Sequence, residues 1–132
     1  MNGTEYIWDT NIVIYFLQNQ LTDDAEYFLD NLLEKSKPAI SSITEIELLC
    51  WQKADEEDIK AINDFIKYSQ IINLNDSVKE NTVDVKKANT IKLPDAIIAA
   101  SAKTYDLTLL TRNIKDFKSI KNLKLLNPFI VQ

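Results

Sequence analysis

Short apolar stretches alternate with amphipathic helical ones along the chain, and this alternation limits the fold more than any other feature. Residues 5–8, 38–41, 71–74, 108–111 and 123–126 read as strands, and helical patterns fill the intervals between them. Helices are expected over 10–20, 22–34, 42–53, 55–68, 75 or 77–88, and 95–105. Ala25, Phe28, Leu29, Leu32 and Leu33 recur at helical spacing, as do Ile59, Ile62, Phe65 and Ile66. Asn75 or Ser77 can cap a helix start, and Pro94 suits a first helical turn. Ser42-Ile43-Thr44-Glu45 matches the S-x-x-E capping box, in which serine and glutamate side chains satisfy each other's free backbone amides. Parallel strands require long crossover connections. The pattern therefore implies an α/β sandwich with a mainly parallel central sheet of four to five strands, richer in helix than in strand.

With 132 residues, 45% of them hydrophobic, the chain is long enough to build one real core, and we expect a single domain over 1–132. One glycine, three prolines and no low-complexity stretch leave no linker to divide it. No apolar run approaches the roughly 20 residues of a membrane span. The N-terminus lacks the basic, apolar and small-residue pattern of a secretory signal, so a cytoplasmic location is expected. Cys50 is the single cysteine and histidine is absent. That removes an internal disulfide, Ser-His-Asp and Cys-His catalysis, imidazole acid/base chemistry, and His- or Cys-rich zinc sites. Any hydrolytic chemistry here falls to carboxylates. The net charge of −5 conceals a division: residues 1–84 carry 6 Lys against 17 Asp and Glu, while 85–132 carry 8 Lys and 1 Arg against 3 Asp. Such a basic second half suits a polyanion on one side of the molecule, though solvated lysines on surface helices read equally well.

In open α/β sheets, ligands bind beyond the carboxyl ends of the strands. Asp9 follows the first strand, Asp95 sits in the first turn of its helix, Asp116 comes shortly after the fourth strand, and Glu47 lies on the helix after the second. Four acids from distant positions can therefore meet at one sheet edge. Clustered carboxylates raise one another's pKa values unless a cation neutralises them. Mg²⁺ or Mn²⁺ suits an all-oxygen donor set. Each acid also has a plainer reading. Asp9 and Asp95 could be anions at helix N-termini, and Asp116 a first-turn acid behind an Asn113 cap. The capping box explains Glu45 without any function, whereas nothing local demands Glu47, so Glu47 is the candidate ligand. Thr10, Asn11, Thr111 and Asn113 read either as helix-start residues or as groups that orient a ligand. Trp8 and Trp51 fit core or subunit contacts.

These residues fall into four motifs that resemble PIN-domain ribonucleases and, within them, the VapC-like toxins of bacterial toxin-antitoxin modules. The motifs are Trp8-Asp9-Thr10-Asn11-Ile12-Val13-Ile14-Tyr15, Ile43-Thr44-Glu45-Ile46-Glu47-Leu48, Leu93-Pro94-Asp95-Ala96-Ile97-Ile98-Ala99-Ala100 and Leu110-Thr111-Arg112-Asn113-Ile114-Lys115-Asp116-Phe117. The resemblance spans nearly the whole chain and implies a PIN-like α/β/α sandwich. It also implies metal-dependent endoribonuclease activity, with Asp9, Glu47, Asp95 and Asp116 as both catalytic and metal-binding residues. Asn11, Thr111 and Asn113 would support them, Arg112, Lys115 and Lys118 would contact RNA, and a homodimer and a cognate antitoxin are expected partners. In place of the small glycine often found after the second motif stands Cys50-Trp51, which puts local helix packing in question.

Two rival readings differ in class. A haloacid-dehalogenase-like phosphohydrolase also opens with an acid after the first strand, but its second acid is replaced here by Asn11. A PIN-like module that only binds RNA or protein has no use for four mutually repelling carboxylates.

Overall fold

The computed structural model describes residues 5–130; the two ends of the expected domain, 1–4 and 131–132, lie outside them. The sequence folds as β1 (Tyr6–Trp8), α1 (Thr10–Leu17), α2 (Asp23–Lys35), β2 (Ala39–Ser41), α3 (Ser42–Leu49), α4 (Glu56–Tyr68), β3 (Gln70–Ile72), α5 (Asp76–Ala88), α6 (Leu93–Thr104), β4 (Thr108–Leu110), α7 (Ile114–Phe117) and β5 (Leu125–Leu126), with a terminal 3₁₀ turn at Pro128–Ile130. All five strands are parallel, in the order β3-β2-β1-β4-β5. The expected α/β architecture is therefore present, with every strand shorter than its apolar stretch.

Successive strand residues point to opposite sheet faces, and the core divides accordingly. Ile7, Ala39 and Leu109 join Val78, Val85, Ile98 and Phe117 on one face. Their neighbours Trp8, Ile40 and Leu110 join Ile12, Leu29, Leu48, Ile62 and Phe65 on the other. The result is a three-layer sandwich. Trp8 is fully buried, with its ring 5.5 Å from Phe16 and 5.3 Å from Phe65, and Trp51 packs partly buried against the same core. That contact occupies the place where the motif departs from the family pattern. With so little glycine available, left-handed backbone falls to Asn19, Asp106 and Asn122, residue types that tolerate it best.

Helix starts largely follow their caps. Asn75 accepts from the Val78 amide, and Thr22 from Ala25. The capping box expected at Ser42 does not form. Ser41 is the cap and accepts from the Ile43 amide, which makes Ser42 the first helical residue and moves Glu45 out of reach of the cap amide. Ser42 instead donates to the Ile72 carbonyl, tying α3 to β3 (3.2 Å). A true capping box stands one helix later, between Asp55 and Asp58. Helix α3 also ends at Leu49, short of the expected residue 53, with Cys50 as its exposed C-cap.

Candidate active site

From β1 the chain moves outward through β2 to β3, then returns to place β4 on the other side of β1. That reversal opens a crevice between the carboxyl ends of β1 and β4, the position at which doubly wound sheets bind ligands. Asp9 follows β1 and Thr111 follows β4, and the Thr111 hydroxyl donates to Asp9 Oδ2 across the crevice (2.8 Å). Asp9 occupies the N-cap position of α1, yet its side chain makes no capping bond. Its Oδ2 is instead engaged by Thr111 at the end of β4, a contact that the plainer reading of Asp9 as a helix-start anion does not account for.

Burial is the main reason the Asp9 carboxyl is pushed up from 3.8 to about 6; the Thr111 hydroxyl and the Thr10 backbone amide oppose the shift, while the charges of Asp95 and Glu47 add to it. Asp95 is half-buried in the first turn of α6 and is also raised, again chiefly by burial, then by Asp116 and Glu47, with Lys92 pulling the other way. A helix N-terminus alone would favour the charged form. The opposite direction at Asp95 follows first from burial and then from the like charges of Asp116 and Glu47, and together with the charges of Asp95 and Glu47 acting on Asp9 these interactions link all four predicted acids.

Neighbouring side chains aim these acids. The Thr10 hydroxyl donates to Glu47 Oε1 (2.6 Å) and lies within hydrogen-bond distance of Thr44 Oγ1 (2.9 Å), linking α1 to α3. This chain separates Glu47 from Glu45, a distinction the absent capping box does not provide. Thr44 was not assigned to the site by the sequence reading, although it stands inside the second motif, and Thr10 was read there either as a helix-start residue or as a group that orients a ligand. Asn113 precedes α7 without capping it through its side chain; its amide nitrogen instead donates to Asp116 Oδ2, while its backbone amide donates to the Thr111 hydroxyl (3.0 Å). Thr111 thus binds Asp9 and Asn113 together. Asn11 is exposed on the first turn of α1 and has no side-chain hydrogen bond among the described residues. Arg112 lies over two rings, 4.3 Å from the Phe129 centroid and 5.6 Å from that of Tyr15. Lys115 and Lys118 are exposed on and just after α7.

The donors are carboxylates and hydroxyls only, which fits a hard divalent cation in chemistry and in charge. Among the described residues, however, no three of the acids stand ready-made around one ion. Magnesium is commonly held by one or two carboxylates and several waters, so this spread is compatible with it. Among the described residues no helix is long and apolar enough to cross a membrane.

Residues 6–123 match the PIN domain family model. The chain is 32% identical over 130 residues to Ribonuclease VapC2 of Rickettsia felis, covering 92% of this chain and 96% of the relative. Among solved structures it resembles VapBC2 from Rickettsia felis bound to a DNA fragment from their promoter, with a TM-score of 0.78, 30% identity, and coverage of 92% of this chain and 97% of that one. A toxin-antitoxin complex from Klebsiella pneumoniae is similar, with a TM-score of 0.77, 30% identity, and coverage of 96% and 100%. DNA-bound VapBC from Salmonella typhimurium shares the fold at a TM-score of 0.81 and 20% identity, with coverage of 95% and 98%. With four ordered motifs, a crevice of opposed acids and these relatives in agreement, the chain belongs to the PIN-domain family.

Proposed function

We propose that this protein is a metal-dependent endoribonuclease that acts as the toxin of a toxin-antitoxin pair, with Mg²⁺ or Mn²⁺ as its cofactor. The observation that carries this reading is the buried Asp9 carboxylate, held by Thr111 and surrounded by like charges that a cation would neutralise. Asp9, Glu47, Asp95 and Asp116 are the residues that would hold the ion. When bound, such an ion stabilises charge developing on the phosphoryl oxygens and makes the attacking water more acidic.

The chain's own side chains orient the reaction. Thr111 engages Asp9 Oδ2, Thr10 engages Glu47 Oε1 and Asn113 engages Asp116 Oδ2, so each carboxylate keeps one oxygen outside these bonds. Among the described residues Asp95 has no such tether, and one of the four carboxylates can accept or orient a proton of the attacking water. The supporting role of Asn11, and RNA contacts by Arg112, Lys115 and Lys118, belong to the same proposal. An antitoxin partner is supported by the likeness to the Klebsiella pneumoniae toxin-antitoxin complex.

The test is incubation of the purified protein with total cellular RNA, with and without Mg²⁺ or Mn²⁺, beside Asp9→Asn. Internal cleavage is expected only in native protein with metal. Equal RNA profiles for the two, in protein free of antitoxin, would leave a binding module as the better reading.

A further inference from the structure

The α5–α6 turn, residues 89–92, borders a cleft of about 480 Å³ whose lining includes Asp95, Asp116, Lys86 and Lys92. Anions and cations share this cleft without pairing: among the described residues neither lysine forms an ion pair. Lys86 is fixed, because its ammonium donates to the Ile91 carbonyl (2.7 Å), which leaves two of its three protons for another acceptor. Lys92, at the N-cap of α6, is exposed. The volume lies within the roughly 300–1,000 Å³ of small-ligand clefts, enough for one nucleotide unit.

A second, smaller cleft of about 260 Å³ continues beyond Asn89, with Lys103 and Lys121 on its walls. Asn89 divides the two and is itself fixed: it donates to the Val85 carbonyl (3.0 Å) and accepts from the Ser119 hydroxyl (2.9 Å). Lys86 and Lys92 thus stand beside Asp95 and Asp116 in the first cleft, and Lys103 and Lys121 beside Asp84 in the second.

We propose that the first cleft is a substrate subsite in which Lys86 and Lys92 hold a phosphate flanking the scissile one in a single RNA strand. This deepens the nuclease reading and rests on it. A phosphodiester supplies the anionic oxygens that the two lysines lack, while the scissile group faces the acids. The strand then continues past Asn89 towards Lys103 and Lys121.

The experiment measures anisotropy of a short fluorescein-labelled single-stranded RNA in EDTA, across salt, with Lys86→Gln/Lys92→Gln. A control, Lys35→Gln/Lys67→Gln, removes the same charge from helices α2 and α4. Each lost single-strand phosphate contact lowers the salt slope by about 0.7. With one phosphate contact gone, between about 50 and 200 mM salt the cleft variant should therefore lose about 2.6-fold less affinity than native protein, whereas the control should follow native. With Mg²⁺, its KM should rise while kcat is retained, and Lys86→Arg should preserve both binding and melting temperature. Equal slopes for the cleft variant and the control, in protein of native thermal stability, overturn the subsite. Native protein that cleaves RNA but shows lysine-insensitive binding removes the subsite alone. Lysine-dependent binding without metal-dependent cleavage removes the nuclease reading, and with it the substrate role of the cleft, and leaves a site that only binds RNA.

Discussion

Replacing Asp9 with Asn should abolish cleavage yet stabilise the protein at neutral pH when no divalent ion is present. Asp9 is 7% exposed, and its carboxyl is raised from 3.8 to about 6, principally by burial. The native state therefore holds this proton more tightly than the unfolded chain does. Its contribution to stability is complete below 3.8 and is lost as pH rises through about 6. At about 1.4 kcal/mol per pH unit, that two-unit shift corresponds to an upper bound of about 3 kcal/mol withdrawn from the native state at pH 7.5. Asparagine carries no charge, and its Oδ1 can still accept from Thr111, so most of this should be regained. The melting temperature should rise by about 10 °C for a chain of this length. Thermal or urea denaturation in EDTA from pH 4 to 8 provides the assay. The stability difference between variant and native protein should grow between pH 4 and 6, level off above 7, and shrink when Mg²⁺ binds native protein selectively. A variant no more stable than native at pH 7.5, or a gain of equal size at pH 4, would refute the argument that Asp9 is a strained buried charge.

The Asp9 proton must leave before a cation binds, so Mn²⁺ affinity measured by calorimetry should weaken below pH 6, with proton uptake by the buffer; pH-independent affinity would contradict this. Thr111→Val removes the hydroxyl that lowers the Asp9 pKa and strands the Asn113 amide; it should destabilise by about 1–3 kcal/mol and move the acid limb of the pH–rate profile upward. Glu47→Gln should depress cleavage far more than Glu45→Gln. Because Glu45 makes no capping bond, its substitution should change stability by no more than about 0.5 kcal/mol in a denaturation experiment. Thr10→Val should reproduce part of the Glu47→Gln defect and Thr10→Ser should not, as read by cleavage rate at fixed metal.

The sequence by itself determined the parallel α/β sandwich, because strand residues such as Ile7 and Trp8 must each find a separate apolar layer and the intervening helices are amphipathic. It also singled out four candidate acids, through their places near strand ends and helix starts and, for Asp116 above all, through the resemblance of its motif to PIN-domain ribonucleases, while the absence of histidine and the single cysteine only narrowed the chemistry to carboxylates. Local pattern was less reliable at helix starts. Ser41 and Ser42 are adjacent potential caps, and the choice between them depends on where β2 ends and on the Ile72 carbonyl that Ser42 reaches, which is a long-range contact. The same limit hid the reason for choosing Glu47. Its distinction from Glu45 comes from Thr10, 37 positions away in sequence and brought close only when α1 packs on α3. Asp9 is bound by Thr111 across 102 positions, and Lys86 and Lys92 come to face Asp116 only in the folded chain. Residue type decides which chemistry is available. Only the packed crevice, through burial and hydrogen bonds between strand ends, decides which carboxylates carry raised pKa values and which cations remain unpaired beside them.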